Sequence, residues 1–177
     1  MENTMSHPTH TTKLNHKVNL WATYKPLILV AAFIIGVTAM IEIKSGELVT
    51  SRSMNNFMAG FFIFFSFFKL LNLQAFADAY STYDVIAKRS RAYAISYPFI
   101  ELALGVCFTL EIFTTFANAL TILFMLVGNY SVWLVLKRKG TIQCACLGTI
   151  FNLPMTKITL FENTVMLAMA AMSLTLH

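Results

Sequence analysis

The sequence predicts an all-α membrane protein, a polytopic transmembrane helix bundle of about five spans with one amphipathic interfacial helix. Of its 177 residues, 57% are hydrophobic and only 12% are charged, whereas soluble domains usually carry about 25% charged residues. Several apolar runs are long enough to cross a hydrocarbon core of roughly 30 Å, which takes about 20 helical residues. The lipid bilayer is therefore the expected surrounding of this chain.

Five segments have the length and composition of a transmembrane helix. They are Pro26–Ile43, Met54–Leu71, Ala92–Thr115, Ala117–Leu136 and Ile158–Leu176. The connection at Thr114–Asn118 is so short that the third and fourth spans are predicted to form a tight antiparallel hairpin. Residues 1–25 are polar and lack apolar periodicity, so they are predicted to be a flexible cytoplasmic tail ahead of a bundle formed by residues 26–177.

An amphipathic helix is predicted between the second and third spans, because apolar residues recur there at spacings of three and four. The apolar positions are Leu73, Phe76, Ala77, Tyr80 and Ala87. The polar positions opposite them are Gln74, Asp78, Ser81 and Asp84. Such a helix is typical of a segment that lies along the membrane surface, although a cytoplasmic extension of the second span would give the same pattern.

The basic residues predict the orientation of the chain, because loops rich in Lys and Arg tend to stay cytoplasmic. The N-terminal tail and the second and fourth connections hold most of the basic residues outside the spans, whereas the first connection holds only Lys44 and Arg52. This distribution predicts a cytoplasmic N-terminus. Basic residues that flank apolar runs do not form the solvated face that nucleic acid requires, so nucleic acid is not an expected partner.

Charged residues inside predicted spans need a partner or a wet cavity, because charge is costly in hydrocarbon. Lys69, Glu101 and Glu162 are predicted to lie at one depth in the inner part of the bundle. The lysine is expected to pair with one of the two glutamates, and the remaining carboxylate would suit proton transfer. Alternatively, Lys69 reaches the headgroups and the glutamates make structural hydrogen bonds. Glu42 and Glu111 are expected near the outer face, where interfacial water solvates them.

Cys144 and Cys146 form a Cys-Ala-Cys pair in a loop that follows three consecutive basic residues, 137–139. An electropositive setting favours the thiolate, which is the reactive and metal-binding form. A disulfide across one residue closes a small, strained ring that is easily reduced, so the pair suits thiol–disulfide exchange. The same two thiolates could hold Cu(I) or another soft ion, or they could be incidental. Cys107, inside the third span, is expected to be a packing residue.

Several short strings in the sequence resemble, as a set, the MauE branch of the MauE/DoxX family of membrane proteins. The strings are Phe65–Leu71, Phe76–Tyr80, Tyr83–Asp84, Tyr97–Leu102, Cys144–Thr149, Leu153–Thr156 and Glu162–Asn163. The resemblance covers roughly residues 54–170. It implies a redox-associated protein of the bacterial inner membrane, similar to a methylamine utilisation protein that helps to mature a disulfide-rich periplasmic dehydrogenase subunit.

The hypothesis that follows is a membrane thiol–disulfide relay or accessory in which Cys144 and Cys146 are the redox pair. A cytoplasmic thioredoxin-like or glutaredoxin-like protein is the expected partner, and no resident cofactor is required. Lys69, Glu101 and Glu162 would support the exchange by setting local charge and supplying protons. The alternative hypothesis is a protein that transports or handles copper or mercury and binds Cu(I) through the two cysteines. A non-catalytic assembly factor is a third reading.

Overall fold

The protein is described by a computed structural model over residues 20–46, 49–137 and 156–176, and all regular structure in these ranges is helical. Six helices follow one another there: α1 (Leu20–Ser45), α2 (Thr50–Leu71), α3 (Leu73–Tyr83), α4 (Arg91–Thr109), α5 (Thr114–Lys137) and α6 (Thr156–Thr175). The predicted all-α fold is confirmed.

Three of these helices, α2, α4 and α5, are long and apolar enough to cross a membrane by length and composition. The chain is therefore a multi-pass membrane protein, while the predicted count of five spans is not confirmed. The helix α1 begins at Leu20, six residues before the predicted start of the first span. The helix α6 covers nearly the whole of the predicted fifth span. Residues 1–19 of the predicted tail lie outside the described residues.

The hairpin between α4 and α5 lies earlier in the chain than predicted. The helix α4 ends at Thr109 and α5 begins at Thr114. Between them Glu111 (φ 53°) and Phe113 (φ 51°) adopt left-handed backbone conformations that reverse the chain. Glu111 is therefore an exposed turn residue rather than part of a span. Hydropathy could not locate this turn, because the run through it is mostly apolar and contains neither glycine nor proline between Gly105 and Gly128.

The helix α3 has the amphipathic character that the sequence predicts. Asn72 caps its N-terminus, since the side-chain oxygen accepts a hydrogen bond from the Ala75 N–H at 3.2 Å. Phe76 and Tyr80 are buried, whereas Asp78 is exposed. The helix packs mainly against α4. Its placement along a membrane surface remains a prediction.

Asp84 is buried, so its predicted place on the polar face of this helix is wrong. The helix ends at Tyr83, and the Asp84 carboxylate accepts hydrogen bonds at 2.9 Å from the N–H groups of Ile86 and Ala87. The second carboxylate oxygen accepts a hydrogen bond from the Ser131 hydroxyl on α5 at 3.0 Å. Asp84 therefore caps the turn before α4 and fastens it to α5, because a buried carboxylate must find donors.

The bundle is built mainly from two helix pairs, α2 with α4 and α5 with α6. A glycine allows the closest approach in the first pair: a Cβ atom at Gly105 would lie only 2.7 Å from the Ile63 Cγ1 atom. The helix α1 packs on α2. An ion pair at 3.2 Å joins Glu42 on α1 to Arg52 on α2, and the Glu42 side chain is 4% exposed. Glu42 is thus paired with Arg52, whereas the sequence predicted that interfacial water would solvate it.

Candidate functional site

A buried ion pair joins α2 and α4, which form one of the two main helix pairs of the bundle. The Lys69 Nζ atom lies 2.5 Å from the Glu101 Oε2 atom, and the two side chains are 6% and 7% exposed. The sequence allowed Lys69 to pair with Glu101 or with Glu162, and the structure contains the Lys69–Glu101 pair. The alternative in which Lys69 reaches the headgroups is not adopted. Because each charge neutralises the other, neither is left uncompensated in a low-dielectric interior.

Aromatic rings surround the ammonium group of Lys69. Its Nζ atom lies 5.1 Å from the centre of the Tyr97 ring and 5.5 Å from the centre of the Phe76 ring. Tyr80 packs beside both rings, with centroid distances of 4.7 Å to Tyr97 and 5.3 Å to Phe76. Desolvated cation–π contacts of this kind stabilise an ammonium group further. Sequence reasoning missed this arrangement, although Tyr97 precedes Glu101 by one helical turn and so shares its face.

A small cavity of about 40 Å³ adjoins the ion pair and is lined by residues of five helices, α2 to α6. Its polar lining on α6 consists of Thr159, Glu162 and Asn163. The structure thus brings Lys69, Glu101 and Glu162 to one cavity, so that they share one level of the bundle as predicted. We refer to these three residues and the cavity as the ion-pair site.

The α5 wall of the cavity depends on a glycine. A Cβ atom at Gly128 would lie 2.9 Å from the Asn163 Nδ2 atom on α6. Real Cβ contacts are essentially never that short, so a larger residue at this position would push the Asn163 amide away. Gly128 therefore leaves the space that the Asn163 amide occupies beside the cavity. The sequence gives no distinct signal for this role.

The predicted redox pair, Cys144 and Cys146, lies outside the described residues. Cys107 is a half-buried free cysteine on α4 that packs against the buried core cluster around Phe108, which agrees with the expected packing role. Within residues 20–46, 49–137 and 156–176, no group of three or more His, Cys, Asp or Glu side chains could hold a metal ion.

A second buried polar cluster joins three helices at the opposite end of the bundle. The Ser173 hydroxyl on α6 donates to the Asn55 Oδ1 atom on α2 at 2.9 Å. The Asn118 Nδ2 atom on α5 donates to the Ser173 Oγ atom at 3.2 Å. We refer to these three residues as the amide network. Sequence reasoning missed it, because uncharged polar residues do not stand out in an apolar run.

The fold and the ion-pair site together define a multi-pass helical membrane protein with a buried Lys–Glu pair in its core. A family model described as methylamine utilisation protein MauE matches residues 48–176, most of the chain, and the chain belongs to this family. The matched range contains α2 to α6, both members of the ion pair and the two cysteines of the Cys-Ala-Cys motif. The searches of curated proteins and of solved structures found no match.

Proposed function

We propose that this protein supports thiol–disulfide exchange at a bacterial inner membrane and serves as an accessory to the maturation of a partner protein. Cys144 and Cys146 are the exchanging pair. Membership of the methylamine utilisation MauE family supports the accessory role, because a utilisation pathway needs mature enzymes. In this proposal the N-terminus is cytoplasmic, as the distribution of basic residues predicts.

The exchange follows ordinary disulfide chemistry. A thiolate of a reduced partner attacks one sulfur of the Cys144–Cys146 disulfide, so that a mixed disulfide forms and the other cysteine leaves as a thiolate. The second partner thiol then closes the partner's own disulfide. Two electrons pass from the partner to the cysteine pair, and the two thiolates formed take up protons. A thioredoxin-like or glutaredoxin-like protein has the chemistry of such a partner.

The observation that carries this proposal is the ion-pair site and its position in the bundle. The helix α5 ends at Lys137 and α6 begins at Thr156, so the connection that contains both cysteines starts and ends at one end of the bundle. Thr159 and Glu162, which line the cavity, belong to the first turns of α6. A carboxylate group at the end of the bundle where this connection begins and ends suits the proton transfers that accompany exchange.

The test is a redox titration of the full-length protein in lipid bilayers, read by trapping free thiols with a mass-shifting alkylating reagent. We expect one two-electron transition that disappears in Cys144→Ser and in Cys146→Ser. The matched control is Cys107→Ser, which should keep the transition because Cys107 packs in the core. A protein in which Cys144 and Cys146 never form a disulfide at any physiological potential would overturn the proposal.

A second candidate function is the handling of a soft metal ion such as Cu(I). The feature that favours it is the pair of closely spaced thiols at Cys144 and Cys146, which are soft ligands. Thioether and thiolate sulfurs select Cu(I). This function predicts stoichiometric Cu(I) binding that is lost in Cys146→Ser. Protein that binds no Cu(I) under anaerobic conditions would exclude it.

A further inference from the structure

The ion-pair site and the amide network lie at two separate depths of the bundle. Asn55 precedes Lys69 on α2 by 14 residues, and Ser173 follows Glu162 on α6 by 11 residues. At 1.5 Å of rise per residue, these spacings correspond to about 21 Å along α2 and about 16 to 17 Å along α6. Two helices that run in opposite directions thus give similar separations of the two clusters.

A layer of mainly apolar side chains fills the space between these two depths, and Thr121 is a buried polar residue of α5 in this stretch. The apolar residues of the layer belong to one buried core cluster and come from α2, α4, α5 and α6. They are Met58, Phe62, Phe108, Met125 and Met166. Along each helix they lie on the side of the ion-pair site that faces the amide network. Close-packed apolar side chains of this kind exclude water. The ion-pair site is therefore closed toward the amide network.

The cavity of the ion-pair site has the size and the polar lining of a water site. A buried water needs a cavity of at least about 10 to 15 Å³ and two to four polar partners. The cavity of about 40 Å³ therefore has room for about two or three waters. Lys69 has three N–H donors, and Thr159 and Asn163 supply a hydroxyl and an amide. A quinone ring or another aromatic ligand would not fit this volume.

We propose that this cavity is a hydrated proton-binding site that exchanges protons only with the end of the bundle where α5 ends and α6 begins. A short water chain connects the Glu162 carboxyl group to the Glu101 carboxylate. When a proton moves inward, an O–H bond of Glu162 breaks, a water takes up that proton, and the same chain passes another proton to Glu101. Lys69 keeps its three hydrogens throughout, so the total charge of the site is unchanged by the transfer.

The groups that face the two carboxylates come from every helix around the cavity. The titratable ones are Lys69 on α2, Tyr80 and Tyr83 on α3, Tyr97 on α4 with Glu101, and Glu162 on α6. The lining from α5 is Met125, Gly128 and Val132, none of which titrates. Burial raises the pKa of the Tyr80 phenol, on the short helix α3, well above its ordinary value. This phenol therefore stays protonated and takes no part in the proposed proton transfer.

The test is infrared difference spectroscopy of the full-length protein in lipid bilayers, with a step in pH and with exchange into D₂O or H₂¹⁸O. We expect a hydrogen-bonded water band that shifts with both isotopes, and a protonated carboxyl band that grows as the pH falls. Glu101→Gln and Glu162→Gln should each remove carboxyl intensity. A wild-type protein without an isotope-sensitive water band, or a carboxyl band of wild-type intensity in both variants, would overturn the proposal.

Substitutions at two separate glycines, Gly128 on α5 and Gly36 on α1, provide a test variant and a matched control for the water band. Gly128→Ala forces the Asn163 amide to move beside the cavity, whereas a Cβ at Gly36 meets nothing within 4 Å. In Gly128→Ala the displaced amide should take the place of one of the two or three waters. The water band should then fall by about a third to a half. Gly36→Ala should leave it unchanged. Equal bands in wild type and Gly128→Ala would contradict the assignment of the water to this cavity.

The inference is independent of the cysteines, and one further variant separates it from the proposed function. The double variant with Cys144→Ser and Cys146→Ser should keep the water and carboxyl bands of the wild type. If the bands are present in the wild type and in this variant while the redox titration of the wild type shows no transition, only the proposed exchange fails. If the redox transition is present while the bands are missing, only the hydrated site fails.

Discussion

The ion-pair site and the amide network both join polar side chains from different helices of an apolar bundle, but they do so with different chemical groups. The ion-pair site does so with full charges on Lys69 and Glu101, which are almost completely buried, whereas the amide network uses the neutral groups of Asn55, Asn118 and Ser173. The two clusters should therefore respond differently to the loss of one member. Removal of one partner of the ion pair leaves a buried charge without compensation, which costs much stability. Removal of one member of the neutral network costs only the hydrogen bonds that this member makes.

The largest expected effect is on the charged pair. Lys69→Met leaves Glu101 without its counter-charge, so the free energy of unfolding should fall by about 3 to 5 kcal/mol. Equilibrium unfolding in mixed micelles, followed by circular dichroism, measures this change. A loss below about 1 kcal/mol, the range of an exposed pair, would show that water screens the Lys69–Glu101 contact.

The second effect concerns the helix contact that holds the charged pair together. Gly105→Ala places a Cβ atom 2.7 Å from Ile63 Cγ1 and 3.1 Å from the Ile63 backbone nitrogen. Because backbone cannot move away as a flexible side chain can, we expect a loss of about 1 to 3 kcal/mol. The same unfolding assay measures it. Gly36→Ala is the control, because open space surrounds that position; equal stabilities of the two variants would mean that α2 and α4 lie farther apart.

A smaller effect is expected in the amide network. Ser173→Ala removes the group that contacts both Asn55 and Asn118, and hydrogen bonds between membrane helices contribute about 0.6 kcal/mol each on average. The unfolding free energy should therefore fall by about 1 kcal/mol. Thr175→Ala, two residues away on an exposed position, is the matched control. A loss as large as that of Lys69→Met would erase the distinction between the two clusters.

The smallest effect is expected at an exposed ion pair. Arg91 and Asp78 lie 2.7 Å apart, but their side chains are 59% and 61% exposed. Arg91→Met should change the unfolding free energy by less than about 1 kcal/mol, because solvent screens the pair. This variant also serves as the control for removal of a positive charge. A change comparable to that of Lys69→Met would indicate that charge number, rather than burial, determines stability.

The sequence was sufficient for the features that depend on hydrophobicity and on charge. Apolar runs predicted the helices, and Lys69 and Glu101 stood out because charges are rare in such runs. The choice of Glu101 over Glu162 as partner was not predictable, because it depends on how α2, α4 and α6 rotate against each other. The aromatic rings around Lys69 and the role of Gly128 depend on the same packing.

Two errors have a common physical cause. Glu111 was assigned to a span and Asp84 to a solvated face, because residue type and periodicity report average environments. In the structure, the backbone of Glu111 forms the α4–α5 turn, and Asp84 binds backbone N–H groups and Ser131. Both depend on turn geometry that no glycine or proline marks in the sequence.

The most direct test of the account is a double-mutant cycle on the ion pair. If Lys69 and Glu101 contact each other in a core shielded from bulk water, the double variant with Lys69→Met and Glu101→Met removes both charges together. It should then recover most of the stability that each single variant loses, with a coupling free energy on the order of 3 kcal/mol. Losses that simply add, with no recovery in the double variant, would contradict the buried pair on which the proposed site is built.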